Sequence, residues 1–373
     1  MSLMSANIRP SGVFDTSYAQ DISINRTWWD KLSGYLLFGL LLAIPFLLES
    51  TFLGDIVSPS WITTITKIAI FAIAAQGLNI LMGYTGQISL GQAAFMAAGA
   101  YSSAVFVREL GFTFWTALPA AALFTGFIGL IFGLPSLRVK GFYLAMATLA
   151  AQNIIIWMIR YPLDNFTNGV NPLPLENFKP VFFGQTVNHN GMYFIIITLA
   201  VLLFLVARNI ARTRTGRAFI SVRDNDLAAE LLGINVFAYK LQAFFISSLY
   251  AGIAGTLLAF HTQTILTTQF EFLVSIELLA MLVIGGAGYP LGPLFGAAFV
   301  LILNQQVIPN IQPAVGDLVS SVLTFIPKEN VVTATKPILF GLILALFLIL
   351  EPRGLAYRWE ILKISWKIRP YSY

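Results

Sequence analysis

The stretch RNIARTRTGRAFISVRDNDLAAELLGINVFAYK, residues 208–240, is a polar interruption between two apolar runs, and its contrast with the rest of the chain decides the fold. Hydrophobic residues make up 57% of the chain and charged residues only 10%, with a mean hydropathy of +0.78. A soluble domain carries about 25% charged residues. Outward from residues 208–240, the segments 34–53, 61–82, 90–107, 114–137, 141–160, 191–208, 241–261, 272–286, 291–308 and 337–350 are all predominantly apolar. Runs of about 20 such residues cross a ~30 Å hydrocarbon core as helices. None shows period-two alternation, so a barrel is excluded. The expected fold is an all-α polytopic membrane bundle of about ten transmembrane helices. The last run has fourteen residues before Glu351, so it must tilt into protein or continue toward Tyr357.

Lysines and arginines orient this bundle. Arg9, Arg26 and Lys31 precede the first run, and Arg138 and Lys140 fill a short turn. Arg212, Arg214, Arg217 and Arg223 lie in the long loop, and Arg353, Arg358, Lys363, Lys367 and Arg369 follow the last run. With ten spans, all four groups face the cytoplasm together with both termini. The expected organisation is a polar cytoplasmic arm (1–33), a permease domain (34–357) with its loop at 209–239, and a basic cytoplasmic tail (358–373). The opposite connections, including the long segments 161–190 and 308–337, are poor in positive charge.

Several chemistries are excluded. Cysteine is absent, which removes disulfides and thiolate sites. No G-x-x-x-x-G-K-[ST] phosphate loop occurs, and GGAGYPLGP (285–293) lacks the lysine. The two histidines, His189 and His261, have no carboxylate at metal-ligand spacing. No paired base and nucleophile can be assembled, so the chain reads as no enzyme, with no cofactor or metal of its own. Nothing in it reads as a nucleic-acid site.

The loop itself holds a short helix. Asp224 reads as its N-cap, Asn225 and Asp226 as its start, and Gly233 as its C′ residue. Leu227, Ala228, Leu231 and Leu232 form an apolar face, with Arg223, Asp226 and Glu230 opposite. About two turns are too few to be stable alone in water. A membrane-surface helix would present basic residues on its polar face, whereas this one is mostly acidic, so a protein groove fits better.

RTGRAFISVRDNDLAAELLGINVFAYKLQAF resembles the cytoplasmic loop of permeases in branched-chain amino acid ABC importers, in particular the M-type subunit. GYTGQISLGQAAFMAAGAYSSA (83–104), GFYLAMATLAAQ (141–152) and GGAGYPLGPLFGAAF (285–299) are similar to other signatures of that family, in the same order. The resemblance covers roughly residues 67–355. It implies that the loop helix is a coupling helix seated in a cleft of a partner ATPase, through Arg217, Arg223, Asp224, Asp226, Ala229, Glu230 and Gly233. It further implies a second homologous permease, two ABC ATPase subunits carrying ATP and Mg, a periplasmic substrate-binding protein, and a bacterial inner-membrane location. Close relatives of the family resemble urea or amide permeases, and the segment NFTNGVNPLPL (165–175) departs from a more glycine-rich stretch of many amino acid members.

Intramembrane polar residues face a wet pathway or act as glue between helices. Gln76, Asn79, Gln87, Ser89, Gln92, Gln152 and Asn153 are the candidates for a translocation path. Glu271 and Glu277 bracket the start of the eighth run, where they line an outer mouth or reach water. The small-residue stripes Gly129/Gly133, Ser248/Gly252/Gly255 and Gly292/Gly296 read as packing surfaces. An ion-coupled secondary transporter is the alternative of a different class, disfavoured because carboxylates sit at span edges or in loops. A structural subunit without a path is a third reading.

Overall fold

The computed structural model of the chain describes Gly39 and residues 60–136, 141–175, 181–182, 185–186, 189–313 and 328–368. The expected first span (34–53), the arm at 1–33 and the Arg138/Lys140 turn lie outside these residues, apart from Gly39. So do most of the connection 176–188, residues 314–327 and the last five residues. The chain divides into two compact units, one comprising residues 63–356 and the other residues 1–62 with 357–373.

The helices in chain order are α1 (Ser60–Leu78), running on as a π-helix over Asn79–Tyr84, α2 (Gln92–Leu110), α3 (Phe114–Ser136), α4 (Phe142–Arg160) and the single turn α5 (Asp164–Thr167). The short strands β1 (Leu173–Pro174), β2 (Val181–Phe182) and β3 (Gln185–Thr186) follow. Then come α6 (His189–Arg212), α7 (Arg214–Asp224), α8 (Asp226–Leu231), α9 (Val236–Thr262), β4 (Thr264–Ile265) and a 3-10 turn at Thr267–Phe270. The chain continues with α10 (Phe272–Gly285), α11 (Gly292–Ile302) with a second π-helix at Leu303–Val307, α12 (Lys328–Leu350) and α13 (Leu355–Ile368).

Seven helices among the described residues are long and apolar enough to cross a membrane, or eight if Pro337–Leu350 and Leu355–Lys363 count as one broken span. Ten is therefore not reached within the described residues. The helix α2, expected as a span at 90–107, is 19 residues long but is not among these seven, since Gln92, Arg108 and Glu109 lower its hydropathy. It lies buried in the bundle, with residues 92–104 all shielded. The last run is longer than expected: α12 begins at Lys328 and carries Pro337 inside it, and α13 carries helix from Leu355 on through residues 358–368.

Packing explains the small residues. α9 lies most extensively against α3 and α2. A Cβ on Gly99 would collide with Gly252, one on Gly255 with the Met96 carbonyl, and one on Gly129 with Ser248. Between α10 and α11, a Cβ on Gly296 would strike the Met281 carbonyl. Close backbone approach of this kind is what joins membrane helices in a solvent as apolar as their own side chains. The stripes named from sequence are therefore packing surfaces.

The two ends of the bundle are distinct. At one end the α6–α9 connection carries α7 and α8. At the other, β1 pairs antiparallel with β4 (Leu173 opposite Ile265), and Arg160 joins Glu271 at 2.9 Å and Thr267 at 3.1 Å. α9, 27 residues long, runs from the first end to the second.

Candidate functional site

The polar loop folds into an elbow of two helices punctuated by three caps. Thr213 Oγ1 accepts from the Gly216 amide, Asn225 Oδ1 from Ala228 at 3.0 Å, and Asn235 Oδ1 from Ala238 at 3.0 Å. Each satisfies an amide that the first helical turn leaves open. The cap of α8 is thus Asn225, not Asp224, which closes α7 instead. The eleven-residue α7 was not foreseen. At the far end of α8, Gly233 adopts φ +83°, its amide bonds Glu230 O at 2.9 Å, and the Ile234 amide bonds Ala229 O at 3.0 Å. That pair of bonds is the glycine-terminated helix ending expected at this position.

The orientation of α8 is the informative point. Leu227, Leu231 and Leu232 are 65%, 90% and 81% exposed, whereas Ala229 is buried against the chain itself. Ala229 is thus a packing residue of the elbow in this chain. Glu230, Gly233 and Arg217 are exposed, and Arg217 Nη1 donates to the Arg212 carbonyl at 3.2 Å.

Arg223, also exposed, bonds back to the chain. Its Nη1 donates to the Gly83 carbonyl at 2.9 Å, and its Nε and Nη2 both lie 3.1 Å from Asp224 Oδ1. Gly83 closes the π-helix at the end of α1, where carbonyls lack intrahelical donors. Gly86, at φ +70°, leaves room for the arginine: a Cβ there would sit 3.0 Å from Arg223 Cγ. Asn79 extends the link, donating to Tyr289 O at 3.0 Å and accepting from the Gly288 amide at 2.8 Å. Arg223 and Asn79 thereby tie the elbow to the ends of α1 and to the turn between α10 and α11. Asp226 joins Lys240 on α9 at 3.4 Å, and Gln87 Nε2 donates to the Lys240 carbonyl at 3.4 Å. These groups line a cavity of about 380 Å³ with Thr85, Gly86 and Asn225. Sequence reading missed Lys240 and the bonds that Arg223, which is exposed as expected, and the half-buried Asp226 make to the rest of the chain.

The path candidates divide. Gln92 Nε2 donates to Ala74 O at 3.1 Å and Ser247 O at 3.4 Å. Gln152 Nε2 donates to Phe270 O at 2.7 Å, and its Oε1 accepts from the Ala94 amide at 2.8 Å and Ser275 Oγ at 3.1 Å. Both side chains are buried and stitch three helices together. Ser89 Oγ accepts from the Gly91 amide at 3.4 Å, and Thr148 Oγ1, missed from sequence, accepts from Leu90 at 2.9 Å. Gln76 is fully buried beside Tyr84, and neither side chain makes a well-formed hydrogen bond. Asn153 is exposed on α4 and bonds its own helix at Leu149 O, 3.1 Å away, because neighbours 100° apart on a helix face different ways. It does not join the others.

Gln152→Leu is therefore expected to destabilise the bundle by about 1–3 kcal/mol, because the Phe270 carbonyl loses its side-chain donor and Ser275 Oγ its acceptor, while the Ala94 amide keeps its bond to the Gly91 carbonyl. Asn153→Leu should leave it unchanged; thermal melts of the purified variants in detergent measure the difference.

Residues 60–348 match the family described as branched-chain amino acid transport system / permease component. The chain belongs to that family. The permease is 30% identical over 274 residues to the high-affinity branched-chain amino acid transport system permease protein LivM of Escherichia coli (strain K12), covering 68% of this chain and 64% of the relative. It is 27% identical over 241 residues to the probable branched-chain amino acid transport permease protein LivM of Methanocaldococcus jannaschii, covering 61% and 64%. To the nucleoside ABC transporter permease protein NupC of Lactococcus lactis subsp. cremoris it is 27% identical over 267 residues, covering 65% and 80%. The permease thus spans slightly less than two thirds of the LivM relatives. No solved structure matches it. The matched region contains the elbow, the Gly83 turn and the 285–299 segment, so the geometry above lies on the family's own residues.

Proposed function

We propose that the chain is the transmembrane permease subunit of an ATP-driven importer for branched-chain or other neutral amino acids. In this reading α8 is the coupling helix, facing the cytoplasm with both termini, in a bacterial inner membrane. The observation that carries it is the exposed leucine face of α8. A six-residue helix is not stable by itself, and three leucines in water are an unfinished interface. A separate ATPase subunit with an apolar cleft completes it, and Glu230, Asp224 and Arg217 rim the contact. Two such ATPases, a second homologous permease and a periplasmic binding protein complete the importer. Family membership favours this over the ion-coupled transporter.

When the ATPases close, the coupling helix moves with them, and Arg223 and Asn79 carry that displacement to α1 and to the α10–α11 turn. The helices then rock about the buried Gln92 and Gln152 junctions. Of the path candidates, Gln76 has the least satisfied polar atoms and is the one we assign to the path, with Gln87 at its inner end, where Oε1 makes no hydrogen bond.

Amino acid transport is supported by the names of the LivM relatives, and the nucleoside permease is the competing substrate class. Uptake of radiolabelled L-leucine by cells carrying the complete importer, against an isogenic deletion, tests it. Competition by isoleucine and valine is expected. Competition by nucleosides alone would assign the other class.

A further inference from the structure

Three consecutive amides, Asn304, Gln305 and Gln306, interrupt the apolar span Gly292–Pro313. The helix leaves α-register there, forming the π-helix Leu303–Val307. Such wide turns recur at functional sites. Thr64 Oγ1 donates to Gln305 Oε1 at 3.3 Å and accepts from Gln306 Nε2 at 3.1 Å. Asn304 Nδ2 donates to Glu277 Oε1 at 3.4 Å. Successive polar residues of this helix thus bond side chains on two other spans, α10 through Asn304 and α1 through Gln305 and Gln306.

Its depth follows from the helices. Glu277 is five residues into α10 and Thr64 four into α1, roughly 6–8 Å along each axis. Both helices start at the end of the bundle opposite the elbow, because Gly83, at the other end of α1, meets Arg223. Of the two carboxylates in the seven spans, Glu271 sits at the edge and pairs with Arg160, while Glu277 lies deeper. Sequence reading had put both at the edge. Thr64 is buried, but Glu277 and the three amides are only half-buried. A carboxylate or amide open to lipid is costly, so such groups face a water-filled path or a pairing partner.

We propose that Thr64, Glu277 and Asn304–Gln306 form a substrate station in the outer half of the translocation path. The Glu277 carboxylate receives the ammonium group of a zwitterionic amino acid, and amide and hydroxyl oxygens accept its remaining protons. The chemistry is matched: an ammonium has three donors and no acceptor, and a carboxylate together with amide and hydroxyl oxygens on neighbouring spans offers acceptors. This deepens the amino acid importer reading and rests on it.

The test uses the complete importer in proteoliposomes, with L-leucine as probe. Uptake, ATP hydrolysis stimulated by loaded binding protein, and subunit co-purification are measured together. Glu277→Gln is expected to lower leucine uptake at least tenfold while stimulated hydrolysis stays within twofold and all subunits co-purify. Glu277→Asp should recover part of the uptake, and Gln305→Leu should lower it about threefold. Uptake near the wild-type rate in Glu277→Gln would overturn the station, as would loss of the assembled complex in both Glu277 variants, which would make the cluster a packing contact. A wild-type importer that moves nucleosides and no leucine would instead overturn the importer reading itself, before any variant is made.

Discussion

Leu231→Asp is expected to release the partner ATPase from the permease. Leu231 is 90% exposed in the chain alone, so its replacement removes nothing from the permease's own core. Burying a leucine side chain in a partner's cleft contributes about 2 kcal/mol, which corresponds to roughly thirtyfold in Kd. A buried, unpaired aspartate in the same cleft adds a further penalty. The double variant Leu227→Asp/Leu231→Asp should therefore abolish co-purification of the ATPase, with an unchanged melting temperature of the isolated permease. Glu230→Lys should weaken the contact less, because it reverses a charge on the rim. Quantitative pull-down with purified ATPase measures each effect.

Arg223→Gln is expected to have a different signature. The arginine's guanidinium faces the Gly83 carbonyl rather than the partner, so ATPase binding should survive its loss. What disappears is the link between the elbow and α1, a charge-assisted hydrogen bond of about 1.5–3 kcal/mol. ATP hydrolysis should continue while substrate uptake falls about tenfold or more, an uncoupled phenotype. Arg223→Lys should retain part of the uptake, since an ammonium can reach one carbonyl but cannot also fork to Asp224. Equal losses of hydrolysis and uptake would place Arg223 at the ATPase contact instead.

The contrast between these two residues shows what the sequence makes legible. The start and stop of α8 were readable because capping is local: Asn225, Gly233 and the leucines between them lie within nine residues. The cap itself was misread by one position, since Asp224 and Asn225 are both good caps and only tertiary packing chooses. The role of Arg223 was not readable, because its partner Gly83 is 140 residues away and offers a backbone oxygen, which no side-chain pattern marks. The same reason hides the saturation of Gln92 and Gln152 by backbone groups of other helices. Asn153 was misplaced by adjacency to Gln152, although one residue on a helix is a third of a turn. α2 was recognisable as a helix, yet its buried, central position follows from Gly99 and Gly255 contacts that only the fold supplies. The amides at 304–306 were visible in an apolar run and were passed over because no spacing motif includes them.

The central claim is that this permease is driven from outside itself through α8. Its most direct measurement is co-purification of the C-terminally tagged chain from native membranes in mild detergent, with every associated subunit identified and ATP hydrolysis assayed. Recovery of a second permease and two ATPases, with both ATPases and hydrolysis lost in the Leu227→Asp/Leu231→Asp variant, is the predicted result. Recovery of the chain without any ATPase would contradict the account.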